Sequence, residues 1–98
     1  MRFIQFIEFQ TDNIDAFTAE VAAWEAESVD WRTATRATLC ADRDNPGTYI
    51  QIVEFPSYEA AMANSNDPRT AQFAARLAGI TSGPPTFRNL DVSRTDDF

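Results

Sequence analysis

The sequence predicts an α+β domain of ferredoxin-like order, β-α-β-β-α-β. Three patterns point to it. Two runs, Phe3–Phe9 and Thr48–Phe55, are rich in aromatic and β-branched residues and read as strands. Between them lies a helix with a single apolar stripe. After them comes a second helical region and one last strand. At 98 residues the chain fits one domain, spanning 1–98, with 93–98 as a polar tail.

Each element can be justified in order. Phe3-Ile4-Gln5-Phe6-Ile7-Glu8-Phe9 is the first strand. Thr11, Asp12 and Asn13 are all good N-cap residues, so a helix is expected to begin there. Its apolar positions Ile14, Phe17, Val21 and Trp24 are spaced by three, four and three, which makes one stripe. Asp15, Glu20, Glu25 and Glu27 fall mainly off it and are expected to face water; with Asp12 and Asp30 they form an acidic run without a basic partner, read as a solvated face with an interaction surface as the alternative. Thr33–Ala41 is the second strand, and Asp42–Gly47 is a turn that joins it to Thr48–Phe55 in a hairpin.

Ser57 caps a short helix running to about Ala63, and Asn64–Pro68 interrupts it. Asp67 as N-cap with Pro68 in the first helical position restarts a helix that carries Phe73 and Leu77 and ends at Gly79. Phe87–Val92 is the last strand.

Two helices joining strands around a central hairpin imply right-handed crossovers and one sheet with both helices on one face. The first and third strands are read as parallel neighbours at its centre. Both are apolar on both faces: Phe3, Ile7 and Phe9 oppose Ile4 and Phe6, and Tyr49, Val53 and Phe55 oppose Ile50 and Ile52. The chain has helix enough to cover one face only. A second copy of the same sheet is the simplest cover for the other, so a homodimer is expected.

Composition excludes several functions. Hydrophobic residues make up 44% of the chain, enough for a core. A net charge of −7 argues against nucleic acid and against an anionic membrane surface as partners. No apolar run approaches membrane-spanning length, and Gln5 and Glu8 interrupt the first run too early for a signal peptide. With the single Cys40, this makes the cytoplasm the expected location. The chain has no His, which removes Ser-His-Asp and Cys-His catalysis and, with one Cys, ordinary structural zinc. No metal and no cofactor is expected.

One stretch carries a family resemblance. Val53-Glu54-Phe55-Pro56-Ser57-Tyr58-Glu59-Ala60-Ala61-Met62-Ala63, then Asp67-Pro68 and Phe73-Ala74-Ala75-Arg76-Leu77, resembles the dimeric α+β barrel superfamily, in particular its antibiotic-biosynthesis-monooxygenase-like branch. The resemblance spans Phe3 to Val92. It implies a small homodimer whose sheets face each other as a barrel, with a pocket between sheet and helices in each protomer. The functions it implies range from cofactor-free oxidation of aromatic polyketides to haem degradation and other small-molecule conversions. Where such proteins often carry His or Trp before the helix break, this chain has Asn64, and the haem-degrading arrangement needs a His that is absent.

No catalytic residue is assigned. The candidate ligand-binding residues are Gln5, Gln51, Tyr49, Asn64 and Asn89. Gln5 and Gln51 put amides on the central strands, and Tyr49 shares a face with Gln51. Such amides either bond each other or water inside the dimer, or orient a bound carbonyl or phenol. Asn64, with Ser65 and Asn66, either satisfies the helix break or lines a pocket entrance. Trp24 reads as core, Trp31 as a pocket-mouth or edge residue, and Cys40 as a small hydrophobe. Arg36 and Arg88 read as cross-strand partners of Glu8 or Glu54, with binding of a substrate carboxylate or enolate as the alternative. The favoured function is binding or converting a small hydrophobic or aromatic molecule. The alternatives are a cofactor-free monooxygenase and a non-catalytic dimeric interaction module.

Overall fold

A computed structural model describes all residues, 1–98. The element order is β1 (Phe3–Gln10), α1 (Ile14–Glu27), β2 (Arg36–Ala41), β3 (Thr48–Phe55), α2 (Tyr58–Asn66), α3 (Pro68–Ala78) and β4 (Thr86–Asp91). The four strands form one sheet in the order β2-β3-β1-β4, and every neighbouring pair is antiparallel. This is the ferredoxin-like α+β fold the sequence predicts.

The direction of the central pair differs from the expectation. β1 and β3 are neighbours, but they run antiparallel, with Phe3 opposite Phe55 and Phe9 opposite Tyr49. The reason is topological. The α1 crossover returns the chain so that β2 runs parallel to β1, and the tight hairpin then reverses it into β3.

Local signals explain the elements. Asn13 caps α1 through its side chain, which accepts from the Ala16 N–H at 3.2 Å. Ser57 does the same for α2 with Ala60 at 3.1 Å. α2 runs three residues further than the sequence suggests, through Asn66, because Asn64 is built into it and buried. The break falls at Asp67 alone, whose extended backbone ends α2 while its carboxylate accepts from the Arg69 N–H to start α3. Gly79 closes α3 in a right-handed conformation at φ −74, so its role needs no glycine-specific backbone. Gly47 differs: φ is +89 in the β2–β3 turn, which favours glycine, and its carbonyl accepts from the Thr11 N–H at 3.0 Å.

The three helices lie on one face of the sheet, the face of Phe3, Gln5, Ile7 and Phe9 on β1. Packing on that face is uneven. At one end Phe3, Phe55 and Ala61 form a buried cluster with Val53 and Met62 against it. At the other end Phe9 stacks on Phe17 at 4.3 Å and on Tyr49 at 5.7 Å. Only 9 of 98 residues are buried, because the middle of this layer is hollow and the opposite sheet face has no cover. That opposite face presents Ile4, Phe6, Ile50, Ile52 and Leu90, as the register dictates.

Candidate functional site

The hollow between the two aromatic ends is a partly open cavity of about 650 Å³. Its floor is the middle of the sheet. Gln5 and Ile7 contribute from β1, and Gln51 and Val53 from β3. Its roof is α1 and α3, where the Trp24 and Phe73 rings stack at 5.4 Å with planes 22° apart. Of its 26 lining residues 15 are hydrophobic, so its chemistry is mainly apolar with a few polar groups directed in.

The polar groups are not equivalent. Gln5 and Asn89 face each other across β1 and β4, and Gln5 Nε2 donates to Asn89 Oδ1 at 3.2 Å. Gln51 sits two residue pairs further along, opposite Ile7, and is 9% exposed. Its Oε1 is buried and accepts no hydrogen bond. The indole Nε1 of Trp24 is likewise buried and donates none. These two are the buried side-chain polar atoms without partners, and both belong to residues of the cavity lining.

Asn64 lines the cavity from α2. Its Oδ1 accepts from the Thr33 N–H at 3.4 Å and its carbonyl accepts from Thr70 Oγ1 at 2.6 Å, so it also ties the α1–β2 connection and α3 to α2. Thr33 Oγ1 donates to the Ala60 carbonyl. That tie holds the residues before Arg36 against α2, and it explains why β2 begins later than Thr33.

The structure therefore brings Gln5, Gln51 and Asn64 to one cavity and places Asn89 behind Gln5 as its hydrogen-bond partner. Tyr49 shares the sheet face but packs against Phe9 outside the lining. Trp24, read from the sequence as core, is a roof residue with a free indole N–H. Its apolar stripe position is visible in the sequence; the missing partner is not, because it depends on α3 placing Phe73 flat on the ring.

Charge around the site is arranged as pairs. Arg76 of α3 donates to Glu20 at 3.0 Å and approaches Glu27 at 3.5 Å, which corrects the reading of the α1 carboxylates as lacking a basic partner. Arg32 Nη1 donates to the Glu25 carbonyl at 2.6 Å and to Ser28 Oγ at 3.3 Å, with its guanidinium 5.9 Å from the Trp24 ring. Trp31 lies outside the cavity, edge-on to Trp24 and beneath Arg69, whose guanidinium is 4.3 Å from its ring. Arg69 also pairs with Asp67 at 2.7 Å, and this hydrogen bond holds the Asp67 carboxyl down to about 2. Arg36 pairs with Glu54 at 3.8 Å, and Arg2 reaches the same carboxylate at 3.7 Å. Arg88 makes no ion pair. Cys40 is exposed on the edge strand rather than buried. No three His, Cys, Asp or Glu side chains converge in a way that could hold a metal ion.

Solved structures share this fold across nearly the whole chain. SnoaB, a cofactor-independent oxygenase from Streptomyces nogalater, superposes with a TM-score of 0.78 at 17% identity, covering 96% of this chain and 95% of its own. A Bordetella bronchiseptica protein provisionally called an antibiotic biosynthesis monooxygenase gives 0.78 at 12% identity, covering 95% and 98%. Rv0793 from Mycobacterium tuberculosis gives 0.76 at 14% identity, covering 99% and 100%. No protein-family model and no curated protein matches the sequence. The fold is thus that of the antibiotic-biosynthesis-monooxygenase-like α+β proteins, as the sequence resemblance implies.

Proposed function

We propose that the protein is a homodimeric α+β barrel of the cytoplasm that binds or converts a small hydrophobic, aromatic molecule in the sheet–helix cavity, without metal or haem. The observation that carries this is the cavity itself: an apolar hollow of about 650 Å³ left in a domain that buries few residues. A protein built only as a scaffold gains stability by filling such space, since voids forfeit packing and transfer energy. Gln5, Gln51 and Asn64 are the ligand-facing polar groups in this reading, with Asn89 holding Gln5. The uncovered face of Ile4, Phe6, Ile50, Ile52 and Leu90 supports the dimer.

The test is binding of N-phenyl-naphthylamine, a neutral probe that fluoresces in apolar surroundings. It is expected to saturate at one site per chain, and Ala74→Trp, which fills the roof from α3, is expected to abolish the signal while the fold is retained by circular dichroism. Absence of saturable binding to the parent protein would exclude a ligand-binding cavity.

Conversion rather than binding alone is favoured by one comparison, the shared fold with the cofactor-independent oxygenase SnoaB. Oxygen uptake dependent on the protein, with an easily oxidised polycyclic phenol and no added cofactor, is the outcome that separates an oxygenase from a binding protein.

A further inference from the structure

Two arginines border the cavity, Arg32 and Arg36. Arg36 stands across from Glu54 in the β2–β3 register, on the sheet face away from the helices, and pairs with it at 3.8 Å. Arg32 has no carboxylate partner. Its Nη1 donates to the Glu25 backbone carbonyl at 2.6 Å and to Ser28 Oγ at 3.3 Å, and both acceptors are neutral. The other edge of the guanidinium, formed by Nε and Nη2, donates to nothing in the protein. Neither atom is among the buried polar atoms without a partner, so this edge is open to an incoming group.

The head group is held from several sides. Ser28 is fully buried, and the Arg32 N–H donates to the Ser28 carbonyl at 2.8 Å. Thr33, the next residue, is tied to α2 through Asn64 and Ala60. The guanidinium lies 5.9 Å from the centre of the Trp24 ring in the cavity roof. Helix capping explains one half of this arrangement. α1 has no basic residue in its last turn, and Arg32 Nη1 supplies a donor to one of its final carbonyls. Capping does not explain the free edge, since a single donor serves the carbonyl. Nε–H and Nη2–H are parallel donors that match the two oxygens of a carboxylate.

Resting on the cavity reading above, we propose that Arg32 selects a ligand that is a monocarboxylate on an apolar, aromatic body. The two carboxylate oxygens accept from Nε and Nη2, and the body occupies the apolar hollow roofed by Trp24 and Phe73. A single charge is specified because Arg32 is the only cation of the lining left unpaired. Glu25, the one carboxylate of the lining, and the chain's net charge of −7 oppose any further negative charge. In a mainly apolar hollow a two-pronged charged contact is stronger than at an open surface.

The experiment is titration calorimetry on the intact chain with two probes of one shape, 2-naphthoate and its neutral amide, 2-naphthamide. The parent protein is expected to bind the acid roughly tenfold more tightly than the amide, as one hydrogen-bonded contact to a charged group implies. Arg32→Gln is expected to erase that preference and leave the affinity for the amide unchanged. Arg32→Lys keeps a charge and a donor for the α1 carbonyl but not the fork, and is expected to retain only part of the preference. Arg88→Gln removes a cation from the opposite sheet face and is expected to change nothing. A full preference in Arg32→Lys would overturn the two-pronged contact. If the parent binds acid and amide equally, if the preference survives Arg32→Gln, or if Arg88→Gln abolishes it, Arg32 is not the carboxylate site while the cavity reading stands. If neither probe binds, the cavity reading falls and this inference with it.

Discussion

Gln5 Nε2 donates to Asn89 Oδ1 at 3.2 Å, while Gln51, on the same sheet face and two residue pairs further along, has a buried Oε1 that bonds to nothing in the protein. Two amides of identical chemistry, both expected from the sequence to be ligand groups, thus sit in opposite states. The difference comes from their neighbours: Asn89 stands across from Gln5 on β4, whereas Gln51 has Ile7 and Leu39 on its two sides.

That contrast predicts opposite effects on stability. Gln51→Leu removes a buried acceptor with no partner and adds apolar volume beside the cavity. It is expected to raise the urea midpoint, by up to about 1–3 kcal/mol in unfolding free energy, the cost of one unsatisfied buried group. Gln5→Leu removes a formed hydrogen bond at a half-exposed position and is expected to lower stability by less than about 1.5 kcal/mol. A loss in Gln51→Leu as large as that in Gln5→Leu would mean the Gln51 amide is already satisfied in the free protein.

A second prediction concerns the face without helices. Phe6 opposes Ile52 across β1 and β3, with Ile4, Ile50 and Leu90 around them. Light scattering coupled to gel filtration is expected to give twice the 11.0 kDa chain mass. Ile52→Lys places a charge in the centre of that patch and is expected to shift the mass to one chain at micromolar concentration. A parent protein that runs as a monomer under the same conditions would remove the barrel.

The elements were legible in the sequence where one pattern governs them alone. The strands 3–9 and 48–55 and the α1 stripe follow directly from side-chain period and burial, and each matches within a residue or two. The readings that failed depended on a second element. Asn64–Asn66 carries turn-forming residues, yet it is helical because the Asn64 side chain is occupied by Thr33 from a different part of the chain. The α1 carboxylates have no basic partner nearby in the sequence because Arg76 lies 56 residues beyond Glu20. Part of the cavity floor was visible as amides on central strands. The roof was not, since an indole nitrogen without a partner is a fact about tertiary packing that no spacing rule encodes.

The Arg76 pair gives the third prediction. Its guanidinium sits between Glu20 and Glu27 and joins α3 to α1, the two helices that roof the cavity. All three side chains are at least one-third solvent-exposed, so their attraction is screened. Arg76→Ala is expected to cost no more than about 1 kcal/mol in low salt, and less as salt is raised. Because the substitution loosens the roof rather than the sheet, hydrogen exchange is expected to quicken in α3 and remain unchanged in β1 and β3. Uniform quickening across the sheet would place the pair in the global unfolding unit instead.

The fourth prediction follows from Asp67, the single residue that separates α2 from α3. Its carboxylate accepts from the Arg69 N–H at 2.9 Å and from the Arg69 guanidinium at 2.7 Å, and these bonds hold its pKa to about 2 against an ordinary 3.8. A carboxyl depressed on folding binds its proton more tightly in the unfolded chain. The stability it contributes is therefore fully present above the unfolded value of 3.8 and is lost as pH falls toward about 2. Across that window the thermal midpoint of the parent protein is expected to fall more steeply than that of Asp67→Asn, which keeps a capping oxygen but has no proton to bind. The two proteins are expected to converge at the acid end, once Asp67 is protonated. A carbon-detected titration of the Asp67 carboxyl checks the same point directly: an inflection near 3.8 would show that Arg69 does not hold it, and would leave the Asp67 hinge as an ordinary helix cap.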